Sequence, residues 1–185
     1  DITCTQKQCM IIDASYRFYI FALPDFSIIS QSSLGKDFEL PHRHANRFKI
    51  STHGILNVPI IGTEKSVLIG TSGKVQKLMV NSWHEGDIES AAFSHDGKML
   101  ATGGTDGKVF VFDTKNRSLI FSLPPRGEYI SDIAFSKNDD IIAASGYDKF
   151  TVFYSSVQNK TTDTLKLQDV AERAVFFKND TLLYM

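Results

Sequence analysis

"DIESAAFSHDGKMLATGGTDGKVFVF", residues 87–112, recurs along this chain, and the recurrence decides the fold. Shifted by 42 residues it falls without a gap on "YISDIAFSKNDDIIAASGYDKFTVFY", residues 129–154. Identities stand at Ile88/Ile130, Ala92/Ala134, Phe93/Phe135, Ser94/Ser136, Ala101/Ala143, Gly104/Gly146 and Asp106/Asp148. A third copy begins at the same interval, since Phe177 in "AVFFKNDTLLY" follows Phe135 by 42 residues. A weaker copy lies upstream, where "LIGTSGKVQKLMV" (68–80) matches "TGGTDGKVFVFDT" (102–114) at an offset of 34. A fixed period marks a repeat architecture. This one has room for four strands of ~5–6 residues joined by short links.

Within the best copy the residues divide cleanly. Ile88–Phe93 is a first strand, and Ser94-His95-Asp96-Gly97 a tight turn. Met99–Gly103 and Val109–Asp113 follow as second and third strands around Thr105-Asp106-Gly107, and Leu119–Leu123 is a fourth. Pro124-Pro125 then removes two backbone donors and ends the sheet. Asp-Gly between two apolar strands is hairpin chemistry. It is not a phosphate loop, because Val109 follows Lys108 where a P-loop needs Ser or Thr and then a helix. Elsewhere the chain shows only short runs of β-branched and aromatic residues between polar turns, with no long window at helical spacing. The class is all-β.

Residues 84–113 resemble a repeat of the WD-repeat β-propeller family: a His, an apolar position four later, "AFSHDGKMLATGGTDGKVFVFD", and a closing aspartate. The family's entry Gly-His is represented by Trp83-His84, and its exit Trp-Asp by Phe112-Asp113. The next unit has Arg126 for the His, Ala144 for the Ser/Thr and Tyr154-Ser155 for Trp-Asp. The resemblance implies a blade-tying hydrogen-bond chain of His84, Thr102 and Asp106, from which Phe112, having no N–H, is absent. It leaves the second unit with Asp148 alone, so packing of Phe93, Phe135, Phe150 and Phe153 has to carry more there. It further implies a propeller of four-stranded antiparallel blades.

At 42 residues per blade, 185 residues hold about four and a half blades, where propellers have typically 4–8. The approximate units are 1–31 (partial), 32–83, 84–125, 126–168 and 169–185 (partial), with Arg17–Ala22 and Phe26–Ser30 as late strands of the first. One partial propeller domain is therefore expected, a fragment of a larger ring completed by further sequence or by self-association of a second copy.

Twenty basic residues against 21 acidic ones give no field to draw nucleic acid, and no apolar run approaches the ~20 residues of a membrane span. His42, His44 and His53 lack a third ligand at convincing spacing, so neither a metal nor another cofactor is expected. Asp96 and Asp106 sit in turns rather than across a cleft. Asn116, Asn159 and Asn179 fit the glycosylation pattern, but in hairpin turns, where Asn is common anyway. If Ile2–Thr5 and Gln8–Ile12 form a hairpin, Cys4 and Cys9 lie opposite each other within disulfide reach. The favoured reading is two free cysteines in a cytoplasmic protein; the alternative is a disulfide in a periplasmic or secreted one.

The expected function is a non-enzymatic protein–protein interaction scaffold. Links before first strands and turns between second and third strands share one face of a propeller. Here they carry Trp83, Arg126, Tyr129, Tyr147 and Lys149, and aromatic and Arg side chains are the usual anchors of interfaces. The alternative for Trp83 and Tyr147 is that they cover the blade-to-blade seam, and for Trp83 the two readings weigh about evenly. The alternative function is a propeller enzyme, or a metal- or cofactor-binding accessory protein of an exported redox system.

Overall fold

The computed structural model describes residues 2–4, 8–12, 17–33, 48–53, 56–63, 66–71, 74–78, 83–177 and 181–184. Every regular element among them is a strand. β1 (Ile2–Cys4), β2 (Gln8–Ile12), β3 (Arg17–Ala22) and β4 (Ile28–Ser33) form one antiparallel sheet in chain order. β5 (Phe48–His53), β6 (Leu56–Thr63), β7 (Ser66–Thr71) and β8 (Lys74–Leu78) form the second. β9 (Ile88–Phe93), β10 (Met99–Gly104), β11 (Val109–Asp113) and β12 (Leu119–Ser122) form the third. β13 (Ile130–Phe135), β14 (Ile141–Gly146), β15 (Phe150–Ser155) and β16 (Lys160–Lys166) form the fourth, and β17 (Ala174–Phe177) pairs with β18 (Thr181–Tyr184) in a fifth. First strands pack in succession, β1 on β5, β5 on β9, β9 on β13 and β13 on β17. That is the order of propeller blades about an axis, present here in part.

The repeat is reproduced residue for residue. Phe93 pairs with Leu100 and Ala91 with Thr102 in the third sheet; Phe135 pairs with Ile142 and Ile133 with Ala144 in the fourth. Each partner lies 42 positions after its counterpart. Both first strands also carry a bulge at the same place, opposite Gly103/Gly104 and between Ile130 and Asp132.

The unbroken run Val109-Phe110-Val111-Phe112 is explained by burial on both faces. Val109 and Val111 join Leu123, Ile130, Ile133, Phe135, Ile142 and Tyr154 in the core between the third and fourth blades. Phe110 and Phe112 point the other way, onto Ile88, Ala91 and Leu100. Phe121 of β12 stacks on Tyr154 at 5.0 Å between ring centroids, closing the seam. Of the phenylalanines expected to carry the packing, Phe135 is buried, while Phe93, Phe150 and Phe153 are half-buried. Burial fades outward. β12 alternates between half-buried and exposed, and β16 is exposed throughout.

Two expectations need correcting. The first sheet has four strands, not only the two late ones; β3 and β4 are those, and the short β1 and β2 precede them. The stretch 68–80 matches a hairpin of second and third strands in the next unit, yet its described residues 68–71 and 74–78 belong to β7 and β8, the third and fourth strands of their sheet. Both sequences carry Gly-Lys between their two apolar runs, so a two-strand match cannot tell them apart. The offset of 34 instead of 42 is the trace of that shift.

Candidate functional site

The link entering the third blade delivers His84 beneath the β10–β11 turn, where its side chain is fully buried. His84 Nδ1 lies 3.1 Å from Asp106 Oδ1, and Nε2 lies 2.9 Å from Thr102 Oγ1. A carboxylate only accepts, so Nδ1 carries the proton, and the neutral ring accepts from the Thr102 hydroxyl at Nε2. Burial pushes the imidazole below its ordinary pKa, outweighing the pull of Asp106. Burial also raises the Asp106 carboxyl, but hydrogen bonds from His84 and from the Glu85 and Lys108 amides outweigh it and hold the group below its usual range. Gly104 makes the arrangement possible, because a Cβ there would meet His84 Nδ1 at 2.6 Å and Asp106 Oδ1 at 2.7 Å. Phe112 supplies packing where the family has an indole donor: Trp83 meets Phe110 at a tilt and Phe112 edge-on, with ring centroids 6.1 and 6.5 Å away.

Arg126, expected among the docking residues, is instead spent inside its own blade. Its Nε donates to Asp148 Oδ2 at 2.8 Å and its Nη2 to Asp148 Oδ1. Nη1 donates to the Ala144 carbonyl at 2.8 Å, and Nη2 also to the Phe150 carbonyl at 2.7 Å. The side chain keeps 11% exposure. Ala144 stands where Thr102 stands one repeat earlier, so the guanidinium reaches the backbone in place of a missing hydroxyl. Asp148 is therefore not a lone survivor of the clasp. The spacing gave the signal: 84 to 106 and 126 to 148 are both 22 residues.

Bonds between blades involve residues that sequence reasoning missed. Asp132 on β13 accepts from Ser90 Oγ at 3.2 Å, from the Ile133 amide at 2.8 Å and from the Ala174 amide at 2.7 Å, tying β9, β13 and β17. On the opposite face Asp139 accepts from the His95 and Asp96 amides at 2.6 and 3.0 Å.

The face carrying the links is a continuous hydrogen-bonded ridge. The Thr105 amide donates to the Asp87 carbonyl, Arg126 to Gly107, Tyr147 to Tyr129 and Leu167 to Lys149, all at 2.7–2.9 Å. Gly107 adopts a φ of +70°, with the Arg126 carbonyl where a Cβ would stand. On this ridge Trp83, Tyr129 and Tyr147 remain 42%, 49% and 41% exposed. The two tyrosine rings lie 5.9 Å apart with planes at 58°. Lys149 turns to Asp169, 3.3 Å away.

A cleft of about 220 Å³ opens below Pro124 and Pro125, between the third and fourth blades. Its one charged lining residue is Arg126, so its walls offer no acid–base pair. Among the described residues no three His, Cys, Asp or Glu side chains stand together as a metal site. His42 and His44 lie outside the described residues, and of His53 only the backbone is described. No helix among the described residues is long and apolar enough to cross a membrane. Cys4 pairs with Cys9 in the β1–β2 register, and Cys9 is disulfide-bonded, which corrects the reading of two free thiols. Cys4 is the only other cysteine in the sequence.

Successive four-stranded antiparallel sheets, the third and fourth each held by a buried polar clasp under the turn between second and third strands, define a partial β-propeller. Residues 75–113 and 117–155 each match the family described as WD domain, G-beta repeat, and the chain carries two WD repeats of that family. Over 65 residues, 35% of this chain and 18% of the relative, it is 32% identical to the human U5 small nuclear ribonucleoprotein 40 kDa protein. It is 30% identical over 105 residues, 52% of this chain and 21% of the relative, to Autophagy-related protein 18 of Kluyveromyces lactis. A third relative, the U3 small nucleolar RNA-associated protein 18 homolog of Arabidopsis thaliana, is 29% identical over 92 residues, 50% of this chain and 17% of the relative. The matched stretches span about a fifth of the length of these relatives.

Proposed function

We propose that the chain is a non-enzymatic protein-interaction module whose docking surface is the ridge carrying Trp83, Tyr129, Tyr147 and Lys149. The observation behind this reading is the half-exposed Tyr129–Tyr147 pair on a hydrogen-bonded backbone. Aromatic rings already fixed by their links lose little freedom on docking, which favours affinity. Arg126 serves that surface indirectly by holding the link in place. Membership of the WD-repeat family supports the scaffold reading, as do relatives named for a ribonucleoprotein, an RNA-associated protein and an autophagy-related protein.

The test is the double variant Tyr129→Ser/Tyr147→Ser against Lys115→Glu/Lys137→Glu on the opposite turns. Crosslinking of endogenous complexes followed by mass spectrometry is expected to lose its partner links in the first and keep them in the second. Retention in the first and loss in the second reverses the choice of face. The enzymatic or cofactor-binding alternative rests on the histidines at 42–53, and metal analysis of the purified chain tests it.

Relatives named for a small nuclear ribonucleoprotein and for autophagy support an intracellular reading, and we take the cytoplasm as the first place to look. The Cys9 disulfide pulls the other way, because reducing compartments keep thiols reduced. Trapping thiols with an alkylating agent at the moment of lysis decides between them.

A further inference from the structure

We propose that the Tyr129–Tyr147 facet receives a cationic side chain, a lysine or arginine on an extended segment of a partner protein. The inference rests on the docking reading above and adds the chemistry of what docks. Two tilted phenol rings 5.9 Å apart, each close to half exposed, present negative ring faces to which a guanidinium or ammonium is attracted. The Tyr147 amide bonded to the Tyr129 carbonyl at 2.9 Å fixes the spacing of the two links. Two cations of the same links direct their charge elsewhere. Arg126 is bonded to Asp148 and to the Ala144 and Phe150 carbonyls, and Lys149 reaches Asp169.

Charge on the surrounding ridge points the same way. Segments 83–87, 105–108, 126–129, 147–149 and 167–173 carry seven carboxylates against four Lys or Arg. On the opposite face, turns 94–98, 113–118 and 136–140 carry four of each. Among the described turns from 83 to 173 the acidic excess lies on this face, and it includes Glu128, exposed and directly before Tyr129. Such a field draws in a basic segment and repels a phosphate backbone. A near-neutral chain hides this asymmetry in its total.

The 185-residue chain, carrying ring-labelled tyrosine, is titrated at low ionic strength with three probes. They are a capped Gly-Ser peptide with one central Arg, its Gln analogue and a single-stranded RNA oligonucleotide. Tyr129→Phe and Tyr147→Phe assign the ring signals and preserve the packing. The Arg peptide is expected to shift both rings and to bind about tenfold more tightly than the Gln analogue. Glu128→Lys should weaken the Arg peptide several-fold and flatten its salt dependence. Equal binding of the two peptides, or tighter binding of RNA at the same rings, overturns the proposal. If endogenous partners are lost in Tyr129→Ser/Tyr147→Ser while Arg and Gln peptides bind alike, the docking face stands and its cationic preference falls. If those partners survive the tyrosine substitutions, the docking face itself falls.

Discussion

The Ser90 hydroxyl donates to the Asp132 carboxylate over 3.2 Å, and the two residues hold equivalent places on β9 and β13, 42 positions apart. The same carboxylate takes the Ile133 and Ala174 amides, so one buried side chain serves three blades. Asp132→Ala leaves those donors without their acceptor and is expected to cost roughly 2–3 kcal/mol. Asp132→Asn, which keeps one accepting oxygen, should cost less. Urea melts of the three proteins check the order.

Asp106→Ala leaves the Nδ1–H of His84 and the Glu85 amide without the acceptor each has at 3.1 and 2.8 Å. A loss of roughly 1–3 kcal/mol is expected in the same melts. A change within error would make Asp106 a solvated turn residue.

Arg126→Lys tests the second clasp. Three donors on one ammonium cannot reproduce a planar fork that meets Asp148 and two carbonyls at once. We expect a loss of roughly 1–3 kcal/mol despite the conserved charge. Partner capture per folded molecule should fall less than with the tyrosine substitutions.

The two clasps respond differently to acid. His84 is held below its ordinary pKa by burial, so the unfolded chain takes up that proton first as pH falls. The contribution is fully present above about pH 6.5, the unfolded value, and declines as pH drops below it. Asp106, also lowered, contributes above the ordinary carboxylate range and loses its share only in stronger acid. A guanidinium does not titrate in this range. Hydrogen exchange corrected for intrinsic rates should therefore show residues 99–113 losing protection as pH falls below about 6.5, ahead of residues 141–155.

Reduction of the disulfide at Cys9 should cost about 2 kcal/mol by the chain-entropy account for so short a loop. Thermal melts with and without a phosphine reductant measure it.

The third and fourth blades were legible because β-branched and aromatic runs end on Gly, Asp and Pro, and because two copies align without a gap. The boundaries of β9 and β11 coincide with the sequence reading. The hairpin of Ile2–Thr5 with Gln8–Ile12 entered only as a condition on the cysteine pair, and the three residues of β1 are too few to mark it as a blade strand. Arg126 stood out as a cation in a loop, and its burial depends on the neighbouring carbonyls of Ala144 and Phe150, which side-chain identity does not encode. Asp132 lay inside an apolar strand, and its partner Ser90 is visible only when the repeats are superimposed. The acidic excess beside Tyr129 and Tyr147 emerges only when the loops are sorted by face, which the sequence order does not do.

Bonds joining neighbouring blades span about one repeat each: 42 residues for Ser90–Asp132, 44 for His95–Asp139, 40 for Ser131–Ala171 and 42 for Asp132–Ala174. None of these bonds waits for a remote part of the chain. At a synthesis rate of about 5–20 residues per second, the residues of each new blade follow those of its docking partner within seconds. The protein can thus be assembled like a wall, course upon course, with each blade serving as the template on which the next one sets.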